Sequence, residues 1–455
     1  MPTTVAQALR AAGIPPGNVA LLVQEVGSPR GSLALNPAAP MNPASTMKLV
    51  TTYAGLELLG PAYRWRTEAY LNGSLREGVL EGDLVLKGYG DPKFDYEAFW
   101  MLLRGLRGKG LREIRGDLLL DRSRFARNGG DTGRFDGDEF RPYNVLPDAL
   151  LLNYKSLRFS FAPDAERGAV RIAVQPRPPG FEVSNALRLS AEGACPEGRA
   201  FRDLLRPTFE SAPRPRASFA GQYPLACGER DLHVALIAPN EYAAGAMREL
   251  WTETGGVWNG NARDGAARDG AKPFLSVDSP ALAEIVRDIN KFSNNVMARQ
   301  LFLTIGAEST GAPARAEDAA RAIREWLARK GIAAPELVIE NGSGLSRAER
   351  ISAASMMALL QAAWRSALMP EFIASMPLAA VDGTMRRRLK SDPVAGQAHV
   401  KTGLLSDVRA IAGYVLDRQG RRHAVVMMVN HPNAHQSQAA QDALLAWVHQ
   451  RGARD

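Results

Sequence analysis

The pattern of apolar residues changes character twice along this chain, and that change constrains the fold more than any single motif. The first part predicts a helix over 5–12, strands over 19–26 and 32–36, and a longer helix that ends at Gly60-Pro61. From about residue 65 to residue 272, short apolar strands alternate with turns rich in glycine, proline and aspartate. This middle segment therefore predicts a β-rich body of its own.

After Ser279 the helical pattern returns. Four helices, three strands and a last helix are predicted there, over 281–289, 295–305, 315–330, 353–366, 398–403, 408–416, 422–430 and 435–450. Strands near both ends of the chain, with helices between and after them, predict one α/β sandwich assembled from both termini. The middle segment would be an insertion. Residues 259–272 repeat Ala-Arg-Asp-Gly-Ala and would form its flexible return connection.

Composition is that of a soluble globular protein of two or three domains, because the 455 residues are 45% hydrophobic and 23% charged. No run approaches the roughly 18 apolar residues that cross a membrane, and the first ten residues lack the layout of a signal peptide. A cytoplasmic protein and an exported protein without its leader both stay open here. The net charge of +8 is scattered without aromatic interleaving, which argues against nucleic-acid binding and suits an anionic cell wall or membrane surface.

The cysteines and histidines give no sign of a metal site. Cys195 and Cys227 are the only cysteines, and neither they nor the six histidines show a metal-ligand spacing, so no metal and no cofactor is predicted. Two buried thiols are one interpretation of the cysteines. A single disulfide is the other, if the protein is exported.

The first motif with chemical meaning is Ser45-Thr46-Met47-Lys48, at the start of the strong helix. Residues three apart share a helix face, so Ser45 and Lys48 can lie within hydrogen-bonding reach. A serine hydroxyl becomes a good nucleophile when a base takes its proton, and lysine can be that base if burial or nearby positive charge lowers its pKa. A capping serine beside a solvated lysine would explain the same four residues.

Two further polar motifs follow in the second half of the chain. Ser293-Asn294-Asn295 lies at the break between two predicted helices, where it offers a hydroxyl for proton relay and an amide for a peptide carbonyl, or only a helix cap. His399-Val400-Lys401-Thr402-Gly403 lies on a predicted strand. Its lysine and threonine can bind a carboxylate, and its glycine lets a substrate backbone approach closely.

The order of the three motifs is more specific than any one of them. S-x-x-K, S-x-N and K-T-G occur in that order on helix, inter-helix loop and strand, which is the signature of serine β-lactamases and penicillin-binding proteins. The chain resembles the class C, low-molecular-mass penicillin-binding proteins of the D-alanyl-D-alanine carboxypeptidase/endopeptidase type. The resemblance covers most of the chain and includes the insertion and the segments Gly90-Asp91-Pro92, 116–121, Pro142-Tyr143-Asn144, 341–346 and 381–384. Gly342-Ser343-Gly344 is predicted to shape a tight turn beside the active site.

The resemblance implies a role for each catalytic position. Ser45 would be the nucleophile and Lys48 its general base. Ser293 would relay a proton to the leaving D-alanine, and Asn295 would hold the substrate.

The strand motif would bind the other end of the substrate. Lys401 and Thr402 would fix the terminal carboxylate, beside Gly403. The backbone N–H groups of Ser45 and Leu404 would form the oxyanion hole. Some relatives place an aspartate after the Pro-Tyr-Asn region to meet the free amine of diaminopimelate, and Asn153 stands there in this chain, so recognition of that amine by charge is not expected.

The fold implied is a penicillin-binding, serine β-lactamase-like α/β sandwich, with an antiparallel sheet of about five strands flanked by helices and nested β-rich inserted domains. We expect a catalytic domain, an inserted domain II and a β-rich domain III, over 1–65 with 273–455, 66–152 with 231–272, and 153–230, respectively.

The implied reaction is hydrolysis of peptidoglycan stem peptides through an acyl-enzyme, with β-lactams as covalent inhibitors. A periplasmic location follows, and with it a Cys195–Cys227 disulfide. Two alternatives share the fold. A serine β-lactamase has the same motifs, but the large insertion argues against it. A non-catalytic wall-binding homologue would have lost Ser45, Lys48 or Ser293, and all three are present.

Overall fold

The computed structural model describes residues 1–29, 31–127, 133, 135–212 and 214–451. Within those residues the chain forms eleven α-helices. In chain order, α1 to α11 are Thr3–Ala11, Lys48–Leu59, Tyr96–Gly108, Arg199–Leu205, Pro239–Glu253, Leu282–Phe292, Asn295–Thr310, Ala316–Arg329, Ala353–Arg365, Met369–Ser375 and Gln438–Gln450. No helix in these ranges is both long and apolar enough to span a membrane.

The same residues form twenty β-strands. In chain order, β1 to β20 are Val19–Glu25, Gly31–Leu35, Arg66–Arg76, Val79–Gly88, Glu113–Ile114, Leu118–Asp121, Leu157–Asp164, Ala169–Gln175, Glu182–Asn185, Arg188–Ser190, Pro207–Glu210, Arg216–Phe219, Gln222–Pro224, Arg230–Val234, Val257–Trp258, Ala262–Asp264, Leu275–Asp278, Ala398–Leu404, Val408–Leu416 and Arg422–Asn430.

The chain divides into two compact units. The first comprises residues 1–65, 124–126 and 280–455, and the second comprises 66–123 and 127–279. Within the second unit, the strands β7 to β14 pair only with one another in the described residues. We therefore propose that this unit comprises two domains, the domains II and III predicted from the sequence.

The first unit is built on a five-stranded sheet with the order β18-β19-β20-β1-β2. Every pair is antiparallel, and Leu21 of β1 lies opposite Met427 of β20. Residues 423–429 of β20 are all buried, because helices cover both faces of this central strand. The predicted antiparallel sheet of about five strands, assembled from both ends of the chain, is confirmed.

Helix α2 lies in the core of the first unit. Its first nine residues, Lys48 to Leu56, are all buried, and it packs against α6 to α10. A helix without a polar face is stable only when protein surrounds it. Its first residue is Lys48, which has no exposed surface. The contacts that compensate the burial of this amine lie in the candidate active site.

The second unit contains a seven-stranded mixed sheet and three smaller sheets. In the large sheet, β3 and β4 form a hairpin whose two turn residues, Glu77 and Gly78, both have positive φ, as a two-residue hairpin turn requires. The smaller sheets surround an aromatic cluster that includes Phe159, Phe161 and Phe219. The predicted β-rich character of the insertion is confirmed.

Two features of the insertion differ from the sequence prediction. Residues 259–272 are not only a connection, because β16 within them pairs in parallel with β6. The unit also contains the helices α3, α4 and α5, which the prediction did not include. The apolar positions Phe99, Leu102, Leu103 and Leu106 of α3 recur at helical spacing, so a signal was present and was masked by the surrounding turns.

Cys195 and Cys227 form a disulfide, which confirms the predicted pairing. The bond joins residues 32 positions apart within the second unit.

Removal of this disulfide is expected to destabilise the second unit alone. Replacing both cysteines by serine should lower its free energy of unfolding by about 2–4 kcal/mol, because the cross-link restricts the unfolded chain. Thermal unfolding with and without reductant measures this effect, and the double Cys→Ser variant should no longer respond to reductant. Two free thiols in the denatured, unreduced protein would contradict the pairing.

Candidate active site

Ser45 lies in a 3₁₀ turn, Ala44–Met47, that leads directly into α2. Asn42 fixes the entry to this turn. Its side-chain oxygen accepts from the Ala44 N–H (2.9 Å), and its amide donates to the Ser346 carbonyl (2.9 Å). Asn430, at the end of β20, binds both backbone groups of Asn42. The turn that carries Ser45 is therefore attached to the central sheet.

Lys48 lies one turn after Ser45, and its Nζ has three oxygen partners. It is 2.9 Å from Ser45 Oγ, 2.6 Å from Asn295 Oδ1 and 2.5 Å from the Ser343 carbonyl oxygen. The amide and carbonyl oxygens can only accept hydrogen bonds, whereas the Ser45 hydroxyl can also donate one. A neutral amine has two hydrogens for those acceptors and a lone pair that then faces the Ser45 hydroxyl.

The surroundings of Lys48 favour that neutral amine. Complete burial holds the pKa of Lys48 well below its usual value, and the positive charges of Lys401 and Arg299 lower it further. The carboxyl of Glu349 opposes them and raises the pKa. Lys48 therefore has the lowered pKa that a lysine general base requires.

The loop 340–349 supplies the carbonyl that binds Lys48. The fully buried Glu349 accepts at Oε1 from the backbone N–H groups of Glu340, Asn341 and Gly342, at 3.0–3.2 Å. Gly344, at φ +80°, lies so close to the nucleophile turn that a Cβ would be 1.9 Å from the Ala44 oxygen. The predicted tight turn beside the active site is therefore present.

The sequence left open whether the motif 293–295 acts in catalysis or only caps a helix. The structure shows a separate role for each of its three residues. Ser293 ends α6 in the left-handed conformation, at φ 56°. The Asn294 side chain caps α7 by accepting from the Met297 N–H (3.0 Å). Because Asn294 satisfies the helix end, Asn295 is free to bind Lys48 through Oδ1.

Lys401 connects the strand motif to Ser293. Its Nζ is 2.9 Å from Ser293 Oγ and 2.7 Å from the Thr402 carbonyl oxygen. Complete burial lowers the pKa of Lys401 to about 7. A second lysine with an easily removed proton thus contacts the second serine.

Gly403 brings β18 against the nucleophile. A Cβ at this position would lie 2.7 Å from the Pro43 oxygen and 3.1 Å from the Ser45 nitrogen, so only glycine permits this approach. The Val400 N–H points away from β19, because it donates to the Pro377 oxygen (2.9 Å). Alternation along a strand therefore directs the N–H groups of Thr402 and Leu404 to the same outer edge.

The structure thus links Ser45, Lys48, Ser293 and Asn295 with the strand Lys401-Thr402-Gly403-Leu404. Asn153 belongs to the second unit. There it begins three consecutive residues with positive φ, at 44°, 55° and 43°, and its amide donates to Tyr242 Oη (2.8 Å). It also lines a cavity of about 530 Å³ with Tyr96, Trp100, Arg158 and His233.

Four further residues shape the site, and none of them was predicted from the sequence to contact a catalytic residue. These are the two asparagines that fix the nucleophile turn, the carbonyl that accepts from Lys48 and the buried Glu349 carboxyl, namely Asn42, Asn430, Ser343 and Glu349. An S-x-x-K pattern carries no information about them, because the contact between Ser343 and Lys48 spans 295 positions and the one between Asn42 and Asn430 spans 388.

Comparison with known proteins agrees with this geometry. The sequence model described as the D-Ala-D-Ala carboxypeptidase 3 (S13) family matches residues 2–451. The D-alanyl-D-alanine carboxypeptidase DacB of Haemophilus influenzae is 24% identical over 91% of this chain and 85% of its own. The D-alanyl-D-alanine carboxypeptidase of an Actinomadura species is 28% identical over 83% and 71%, respectively.

The fold has solved counterparts as well. The crystal structure of penicillin binding protein 4 (dacB) from Haemophilus influenzae superposes with a TM-score of 0.78 at 22% identity, covering 98% of this chain and 100% of that one. The same protein complexed with a β-lactam superposes with a TM-score of 0.75. At this identity the likeness shows the fold.

Proposed function

Since the chain belongs to the D-Ala-D-Ala carboxypeptidase 3 (S13) family, we propose that it hydrolyses D-alanyl-D-alanine bonds of peptidoglycan stem peptides through an acyl-enzyme on Ser45. The observation that carries the residue assignment is the position of Lys48 Nζ, 2.9 Å from Ser45 Oγ and held by two oxygens that only accept hydrogen bonds. The family consists of serine peptidases, and the contacts of Lys48 identify Ser45 as the proposed nucleophile and Lys48 as its proposed base.

In the first step Lys48 takes the proton of Ser45, and Oγ attacks the carbonyl carbon of the penultimate D-alanine. Negative charge develops on the carbonyl oxygen. The N–H groups of Ser45 and Leu404 are the donors proposed for it, since Gly403 brings the strand against Ser45 and strand alternation directs the Leu404 N–H to the open edge.

The leaving amine must gain a proton as the C–N bond breaks. Ser293 can deliver it, because its Oγ lies 2.9 Å from Lys401 Nζ, which replaces the proton. D-Alanine then departs, and water takes its place. Attack by that water breaks the ester bond: the water proton passes through Ser293 to restore Lys401, Lys48 returns its proton to Ser45, and the shortened peptide leaves as a free acid.

Substrate contacts are proposed for the remaining site residues. Asn295 uses Oδ1 for Lys48, so its Nδ2 remains to donate to a peptide carbonyl. Lys401 and Thr402 would bind the carboxylate of the leaving residue. The same attack on a cross-link, in which the D-alanine carbonyl is bonded to another stem peptide, makes endopeptidase activity part of the proposal.

We propose that Asn153 does not recognise the free amine of the stem peptide by charge. An amide cannot form an ion pair with a side-chain amine, and Asn153 already donates to Tyr242. We further propose a periplasmic location, which the Cys195–Cys227 disulfide supports because such bonds persist in oxidising compartments.

The proposal is tested with purified muropeptides and a penicillin. We expect D-alanine release with turnover from uncross-linked pentapeptides, cleavage of cross-linked dimers, and a penicilloyl-enzyme that lasts minutes or longer. The departed D-alanine admits water, whereas the opened ring of penicillin stays attached and obstructs it. Steady penicillin hydrolysis without D-alanine release from any peptide would favour the β-lactamase alternative.

A further inference from the structure

The segment 377–385 covers only the first half of the outer edge of β18. Ala379 N–H donates to the Ala398 oxygen (2.9 Å), and Val400 N–H donates to the Pro377 oxygen (2.9 Å). The segment then turns away at Ala380, which has φ +64°. The turn that follows stands beside the half of β18 that carries the K-T-G motif.

This turn is fastened to the end of α6. Asp382 accepts from the Leu378 N–H (2.8 Å) and from Lys291 Nζ (2.6 Å). Gly383, at φ +53°, lies so close to α6 that a Cβ would be 2.5 Å from the Lys291 oxygen. Lys291 is two residues before Ser293, so the turn is held against the element that carries the second serine.

The fastened turn places a hydroxyl next to the K-T-G threonine. Thr384 Oγ1 is 2.8 Å from Thr402 Oγ1, and the Thr384 side chain is exposed. Two hydroxyls in contact share one hydrogen and leave the other free to donate outward. An incoming carboxylate can accept the free hydrogen, and it can accept a hydrogen bond from the other hydroxyl as well once a carboxylate oxygen replaces the neighbouring threonine as acceptor, beside the charge of Lys401.

We propose that Thr384 is a specificity-determining residue that binds, together with Thr402, the carboxylate of the leaving residue. The inference deepens the proposed function and rests on it. Because the turn is fixed, only the hydroxyl hydrogens have to rotate when substrate binds and the backbone can stay in place, which favours peptides that end in a free carboxylate.

The experiment compares two substrates on two variants. An N-acylated peptide that ends in D-alanyl-D-alanine is used as the free acid and as the C-terminal carboxamide. Thr384→Val removes the hydroxyl at nearly constant volume, and Thr384→Ser retains it. Thr310→Val, an exposed threonine at the end of α7, is the matched control for the loss of a surface hydroxyl.

On the free acid, kcat/KM of Thr384→Val should fall about 10- to 100-fold, mainly through KM, because a hydrogen bond to a charged group is lost. On the carboxamide it should change less than about two-fold, and Thr384→Ser should keep most of the preference for the acid. Thr310→Val should match the wild type on both substrates.

Equal losses on acid and carboxamide would assign Thr384 a structural role and overturn this proposal, as would no loss on either. Thermal unfolding of each variant shows whether a loss reflects misfolding, in which case Thr384→Ser decides through its ratio of acid to carboxamide. A wild-type enzyme that releases neither D-alanine from the acid nor D-alaninamide from the carboxamide would overturn the proposed function, and this proposal with it.

Discussion

Replacing Ser45 by alanine is expected to lower D-alanine release by roughly 10⁴-fold or more, the scale of loss when a catalytic serine is removed. Penicillin should add one covalent mass to the wild type, on the peptide that contains Ser45, and none to Ser45→Ala. The fold should survive, because alanine at this position removes only an oxygen that is partly exposed. Intact-protein mass spectrometry and peptide mapping measure both outcomes.

Ser160→Ala is a suitable control, since that serine is on the surface of the second unit and bonds to Asp231. It should be labelled like the wild type. A label that persists in Ser45→Ala, or that maps to Ser293, would assign the nucleophile elsewhere.

Lys48→Arg is expected to lower the acylation rate about 10³-fold although it preserves the positive charge. Arginine stays protonated at any accessible pH and has no lone pair to take the Ser45 proton. The larger guanidinium also cannot occupy a position 2.6 Å from Asn295 and 2.5 Å from the Ser343 carbonyl without moving them. Stopped-flow acylation by a chromogenic cephalosporin measures the rate.

The control for Lys48→Arg is Lys330→Arg, where an ion pair with Glu57 tolerates either cation. Acylation of Lys48→Arg at a rate near that of the wild type would transfer the role of base to Lys401 and Ser293.

The pH dependence gives a second measurement of the same role. Acylation requires the neutral amine, so its rate should rise as pH increases through the pKa of Lys48, at a pH well below the usual value of a lysine. Of the three charged groups named above, Glu349 raises the pKa of Lys48, while Lys401 and Arg299 lower it. Glu349→Gln should therefore move the rising limb to lower pH while still accepting the three backbone hydrogen bonds.

The local part of the site could be predicted from the sequence. A spacing of three residues on a helix places Ser45 and Lys48 together, and the structure has them 2.9 Å apart. The five-stranded sheet could also be predicted, since its strands are long, apolar and lie near both ends of the chain. Both predictions depend on short-range periodicity, which a single sequence contains.

The contacts that complete the site could not be predicted in this way. The Ser343 carbonyl meets Lys48 across 295 positions of sequence, and Asn430 meets Asn42 across 388. Glu349 carries no motif, and its burial follows from three backbone N–H groups that converge on it only after the loop has folded. Such contacts depend on tertiary structure, and the periodicity of a sequence contains no information about them.

The order of the central sheet has a consequence for the synthesis of the protein. The strand β1, among the first to be made, is flanked on one side by residues 422–430, which are among the last. Until those residues are available, the turn of Ser45 lacks its anchor at Asn430. We therefore expect a growing chain to have no hydrolytic activity until its last strands have been made. A product that stops short of the last three strands lacks Lys401 and Asn430, so we expect it neither to release D-alanine nor to be acylated by penicillin.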